Sequence, residues 1–278
     1  MPEDSKSLLN LVNASGYALQ LAVEREIRRL HGPGSSNWVV VSREHRWVDP
    51  ATSSEQFIDL VLQSHAGRMI TECKRVREGA WVFIVEPGKE TTSRARFLWT
   101  HLTDGGRPVS DWDEFNLTLD SPESAFCVGR GQSDTGLTNL ERLSSVLLRS
   151  AETLASQELS FGADRPYGPA WIYIPAIVTT AELKQCLIAP DKIDLATGTL
   201  PDADFDTVPV IRFRKAFSTT IAPRRPARNL ADSALPDERT VLIINADNLA
   251  YALLNLELRP FASYGSDQYP WTQLNGSS

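Results

Sequence analysis

The chain has 278 residues, 42% of them apolar and 23% charged, which suits a globular protein with apolar material for a continuous core and no need of a staple. A formal charge of −7 excludes a molecule that grips nucleic acid over its whole surface, so any such contact needs a local basic patch. Three widely spaced cysteines, Cys73, Cys127 and Cys186, exclude a disulfide scaffold and zinc-ligand pairs. They predict reduced thiols and a cytoplasmic location; no apolar leader and no run near ~20 apolar residues predicts a membrane segment.

Leu19, Val23, Ile27 and Leu30 recur at helical spacing and predict a helix over about Ser15–Leu30, with Arg28 and Arg29 in its last turn and Gly32-Pro33-Gly34 ending it. Strands are predicted at Trp38–Val41, Phe57–Leu62, Met69–Lys74 and Trp81–Val85, the middle two joined by a tight Ser64–Gly67 loop. The stretch 87–132 reads as an insertion carrying a small hairpin, with Arg94–Leu102 as one strand. Thr138-Asn139-Leu140-Glu141 has the form of a capping box before the apolar face Leu140, Leu143, Leu147 and Leu154. Further strands are expected at Trp171–Thr179, Val208–Phe213 and Thr240–Asn245, an acidic loop at Asp191–Asp206, and a short final helix capped by Asp247 or Asn248. This order implies an α/β fold with a central mixed sheet flanked by helices. We divide the chain into a core over 1–180 and a C-terminal α/β extension over 181–278 packed on the same core.

The chemistry concentrates between positions 57 and 77. Side chains alternate faces along a strand, so Glu72 and Lys74 share one face and Cys73 takes the other. A four-residue loop at Ser64–Gly67 sets Asp59 directly opposite Glu72, a position where Cβ atoms lie about 4.5–5.5 Å apart. Two adjacent, partly buried carboxylates repel and are costly to keep charged. A divalent cation relieves both costs, and Mg²⁺ or Mn²⁺ prefers such oxygen ligands. The bound ion would polarise a phosphoryl oxygen and acidify its water, with Lys74 positioned to act on that water.

An Asp on one strand followed by Glu-x-Lys on the next, here Asp59 and Glu72-Cys73-Lys74, resembles the PD-(D/E)xK nuclease superfamily. The preceding Glu24-Arg25-Glu26-Ile27 is similar to the N-terminal helix of Holliday junction resolvases and Mrr-like nucleases. The resemblance covers about Ser15–Val85. It implies a restriction-endonuclease-like core, Mg²⁺- or Mn²⁺-dependent hydrolysis of nucleic-acid phosphodiester bonds with DNA favoured over RNA, and a role in defence or repair. It also implies Asp59 and Glu72 as metal ligands, Lys74 as the residue acting on water, and Glu24 as a further metal-proximal carboxylate, with Glu26 as the fallback.

Arg68, Arg75 and Arg77 flank the motif and are candidates for phosphate contact. Arg212, Arg214 and Lys215 begin a second basic stretch that runs to Arg228; a solvated loop balancing the acidic surface is an equal reading of it. The absence of a recognised DNA-reading module suggests weak sequence specificity or a targeting or activating partner. Cutting both strands needs two sites, which makes a homodimer an expected assembly. The alternative is a catalytically silent module of the same fold that binds nucleic acid or a protein partner.

Overall fold

The computed structural model describes residues 3–32, 35–65, 67–76, 79–102, 107–129, 139–161, 171–221 and 237–259. Two helices open the chain, α1 (Glu3–Ala14) and α2 (Tyr17–Leu30). Sequence periodicity predicts the second; the first, in which Leu8, Leu11 and Val12 also recur at helical spacing, is an addition to the expected elements. Gly16 separates them with φ +79, a left-handed backbone that glycine adopts without a Cβ clash. Val23, Ile27 and Leu30 are buried on α2, the stripe that its 3.6-residue repeat dictates.

An antiparallel meander follows: β1 (Val39–Val48), β2 (Glu55–Gln63) and β3 (Gly67–Lys74). The β2–β3 connection has the expected length, with Gln63 paired to Arg68 and Ser64 N–H donating to Gly67 O at 3.0 Å. Next come β4 (Ala80–Val85), the long hairpin β5 (Thr92–Leu102) and β6 (Pro108–Ser121), then β7 (Glu123–Ser124) and β8 (Phe126–Gly129). Helix α3 (Asn139–Phe161) is followed by β9 (Trp171–Thr179), β10 (Glu182–Leu187), β11 (Phe205–Thr207), β12 (Val210–Ala216) and β13 (Glu238–Asn245). Helix α4 (Leu249–Asn255) and β14 (Leu258–Arg259) complete the described chain.

The main sheet is mixed, in the order β1-β2-β3-β9-β13-β12-β7. Strand β9 runs parallel to both β3 and β13. Eight of its nine residues are buried, as a central strand covered on both faces requires. Gly67 serves this close packing: a Cβ there would stand 3.1 Å from the Ile172 carbonyl oxygen of β9.

The 87–132 stretch carries the expected hairpin, with Arg94–Leu102 inside β5, and the hairpin joins the main sheet. β5 pairs antiparallel with the start of β9, Leu98 opposite Tyr173, and β6 extends the sheet from β5. Its apolar residues Phe97, Leu98 and Trp99 are buried in the common core, which is why the hairpin cannot stand apart. The residues after 180 likewise supply β12 and β13 to the same sheet. A second sheet, β11-β10-β4-β8, lies beside it.

Helices cover both faces. On one, α2 and α4 bury Val23, Ile27, Leu249 and Leu253 against Leu60, Leu62, Met69 and Cys73. On the other, α3 buries Leu147, Leu148, Ala151 and Leu154 against Val61, Ile70 and Ile177, together with Trp81 and Phe83 of the second sheet. Each such fully buried aliphatic side chain contributes roughly 1.5–3 kcal/mol before the entropic cost of ordering it. Thr138 and the basic residues Arg224, Arg225 and Arg228 lie outside the described residues.

Candidate functional site

The β2–β3 ladder runs from Gln63↔Arg68 to Leu60↔Thr71. Its next step would bring Asp59 to Glu72, and there the regular pairing ends. Beyond it, the backbone N–H of Cys73 donates to Oδ2 of Asp59 at 2.7 Å. The carboxylate thus enters between two strands at the point where they part. Helix α2 secures the same position from outside: Nε2 of Gln20, a buried side chain, donates to the main-chain oxygen of Asp59 at 3.0 Å.

The alternation of β3 puts Met69 and Cys73 against α2, and Ile70 against α3. Glu72 and Lys74 are on the Ile70 face by the same alternation. Both Asp59 and Glu72 are half-buried. Burial pushes the Glu72 carboxyl up from 4.5 to about 7, with further upward pressure from the Asp59 charge; Lys74 opposes it and Glu44 adds to it. Asp59 is also raised, again chiefly by burial, while the Cys73 N–H bond pulls it down. Burial, and then the neighbouring charges of Asp59 and Glu72, also hold the Cys73 thiol well above its usual range, so it is an inert core group rather than a nucleophile.

Glu44 belongs to this site and has no counterpart in the motif. On β1, Arg43 faces Leu60 and His45 faces Ile58, so Glu44 falls at the level of Asp59. A row of three carboxylates, Glu44, Asp59 and Glu72, therefore crosses three neighbouring strands. Glu44 is exposed and has φ +46, a left-handed conformation that non-glycine residues adopt at a cost and that clusters at functional sites. No sequence pattern marks a positive φ on glutamate. Gln20 could have been found as the residue one turn before Glu24 on the same helix.

The parallel strands β3, β9 and β13 end side by side, with Lys74 at the level of Thr179 and Thr179 at that of Asn245. Ligands of α/β sheets gather beyond such carboxyl ends. Next to this edge lies a cavity of 640 Å³ whose walls include Ala80, Val82, Val128, Thr180 and Glu182. Thr180 ties the cavity to the site. Its N–H donates to the Lys74 carbonyl at 3.3 Å, and its hydroxyl accepts from Val76 N–H at 2.9 Å.

Other expected residues are placed elsewhere. Glu24 is buried on α2, on the face opposite Glu72, and its Oε1 meets Arg28 and Arg43, each at 2.6 Å. It is therefore not brought to the metal position that the motif implied. Its fallback Glu26 is paired with Arg29 at 2.6 Å, and that bond lowers its pKa. Arg68 sits at the far end of β3, bonded to Glu158 at 2.8 Å and stacked 3.8 Å over Trp171; it holds α3 to the sheet rather than serving the site. Arg75 follows Lys74 and donates to the Asn13 carbonyl. Arg77 lies outside the described residues.

The second basic stretch is corrected in its described part. Arg212 is fully buried, donates to Ser121 and to the Leu119 carbonyl, and is pushed down to about 10 by burial. Arg214 is held by Glu114 and Glu238 at 2.6 and 2.7 Å. Lys215 pairs with Glu141. These cations fasten β12 to β6, β13 and α3 and are not presented to a ligand.

The chain matches no protein-family model, no curated protein and no solved structure.

Among the described residues no group of three or more His, Cys, Asp and Glu side chains is gathered to hold a metal. Mg²⁺ is commonly held by one or two carboxylates, with waters and substrate phosphates filling the remaining octahedral positions. Asp59 and Glu72 supply two neighbouring carboxylates of the kind such a site uses. A half-buried carboxyl raised to about 7 by burial and by a neighbouring carboxylate gains from a nearby cation near neutral pH. No described helix is long and apolar enough to cross a membrane.

Proposed function

We propose that the chain is a metal-dependent phosphodiesterase acting on nucleic acid, with its site at Asp59, Glu72 and Lys74. The observation that carries this reading is the insertion of the Asp59 carboxylate at the parting of β2 and β3, next to a Glu72 whose charge is disfavoured by burial. The same strands hold Lys74, two residues further along the Glu72 face. The resemblance to the PD-(D/E)xK motif adds the chemistry, and DNA is preferred over RNA on that resemblance alone.

In this reading Asp59 and Glu72 would hold Mg²⁺ or Mn²⁺, which when bound supplies charge to a phosphoryl oxygen and acidifies water. The chain's own residues do the rest. The Cys73 N–H and Gln20 fix the Asp59 strand position, so the carboxylate needs no reorganisation to receive a cation. Lys74 orients the attacking water and balances charge that grows on the phosphate. Arg75 adds a cation at the same edge. Glu44 contributes negative charge across the row, which raises the attraction of the site for a divalent ion. A cytoplasmic setting and a role in defence or repair belong to this proposal, as does a homodimer for double-strand cleavage.

The engagement of Arg212, Arg214 and Lys215 in ion pairs, in a chain of net charge −7, favours a second reading: a nuclease-like module that binds without cutting. One assay separates the two. Plasmid, linear duplex, single-stranded DNA and RNA are incubated with Mg²⁺ or Mn²⁺ and wild type, Glu72→Ala or Lys74→Ala. Cleavage by wild type that both substitutions abolish is the expected result. No cleavage, with no metal bound in calorimetry, refutes the enzymatic reading in favour of the binding module.

A further inference from the structure

Between positions 17 and 48 there are five arginines and three glutamates, the reverse of the chain's overall balance of −7. Some of these charges cancel one to one. Arg29 donates twice to Glu26, and Arg46 pairs with Glu55. The exception is Glu24. Its side chain is 5% exposed, and a single oxygen lies 2.6 Å from a guanidinium nitrogen of Arg28 and of Arg43, ion pairs whose arginine side chains are 64% and 48% exposed.

A buried carboxylate is costly unless it is paired, and here it has two cations. One positive charge is left over. Each guanidinium carries five N–H donors in a planar fork. With one nitrogen of each close to Glu24, the two exposed guanidinium groups are brought together at the surface. That arrangement suits a phosphate, which accepts the fork in two parallel bonds. The location is also specific. Arg43 stands opposite Leu60, the residue after Asp59, and α2 touches the Asp59 strand one turn earlier through Gln20.

We infer that Arg28 and Arg43, gathered around Glu24 where α2 meets β1, form a clamp for the phosphate backbone of a nucleic acid, on the sheet face opposite the Glu72 carboxylate and next to the strand that carries Asp59. Glu24 is then a positioning residue rather than a metal ligand. The inference rests on the phosphodiesterase reading for its choice of ligand, but its test requires no catalysis.

The test is fluorescence anisotropy with end-labelled single-stranded and duplex DNA in the presence of a chelator. Wild type, Arg28→Ala/Arg43→Ala and Arg28→Lys/Arg43→Lys are compared over a series of salt concentrations. The double alanine variant should bind at least about tenfold more weakly, and its slope of log affinity against log salt should flatten by about 1.4 on single strands or 1.8 on duplex. The double lysine variant keeps both charges on Glu24 and therefore the fold; it should keep the slope and lose affinity, because an ammonium lacks the fork. A double alanine variant within twofold of wild type at the same slope overturns the clamp, as does a wild type that binds neither probe. Binding by wild type without cleavage under added Mg²⁺ would instead refute the phosphodiesterase reading and leave the clamp standing.

Discussion

Replacing Glu72 by glutamine should stabilise the metal-free protein while disabling its site. The folded protein holds the Glu72 carboxyl at about 7 against an ordinary 4.5, so between those values the native state binds a proton that the unfolded chain has released. Stability from this group is complete below about pH 4.5 and is lost as pH rises through 7. The interval corresponds to about 3 kcal/mol, which solvent contact at this half-buried side chain reduces to about 2. Glutamine mimics the neutral carboxyl at every pH. Wild type and Glu72→Gln should therefore melt together below about pH 4.5, diverge as the pH rises to about 7 and keep a constant gap above it, with the variant higher by about 4–8 °C for a domain of this size. Excess Mg²⁺ should raise wild type at about pH 8 and leave the variant unmoved. Thermal melts and urea titrations across about pH 4.5–8.5, with chelator or Mg²⁺, measure each quantity. A variant less stable than wild type at pH 8, with a parallel pH profile, would show that Glu72 is an ordinary solvated carboxylate and remove the electrostatic case for the site.

Three other outcomes test the fold around it. Arg212→Ala should cost about 3–5 kcal/mol in urea unfolding, since Ser121 and the Leu119 carbonyl lose their donor inside the core, and nucleic-acid affinity should fall only in proportion to the unfolded fraction. Gly67→Ala should cost about 1–3 kcal/mol because its Cβ meets the Ile172 carbonyl oxygen at 3.1 Å; equal stability would mean that β3 and β9 pack less closely. Glu152 is buried and accepts from Trp112 Nε1, Thr220 N and Oγ1 and Ile221 N. Glu152→Ala should lower stability by about 3 kcal/mol and expose the Thr219–Ile221 amides to faster hydrogen exchange.

The local pattern of the chain determined a good deal. Period-two and period-3.6 alternation placed α2, β2, β3, β4, β9 and the apolar face of α3, because each buries one face or both against a single core. The length of the Ser64–Gly67 loop determined the register that carries Asp59 toward Glu72, since a hairpin loop leaves no freedom once its length is set. Other features depended on contacts across long stretches of sequence. Whether 87–132 stood apart or joined the sheet was decided by the pairing of Leu98 with Tyr173, which no local signal encodes. The fates of the charged residues were also tertiary. Arg68, Arg212 and Arg214 read as cations available to phosphate, but their partners Glu158, Ser121, Glu114 and Glu238 come from distant strands and helices. Glu24 lies where the motif expects a carboxylate, yet helix packing turned it toward Arg43. Glu44 entered the site only through the positive φ of β1 and the register with β2. A strand's own alternation tells which residues share a face; only the packed sheet determines what that face meets.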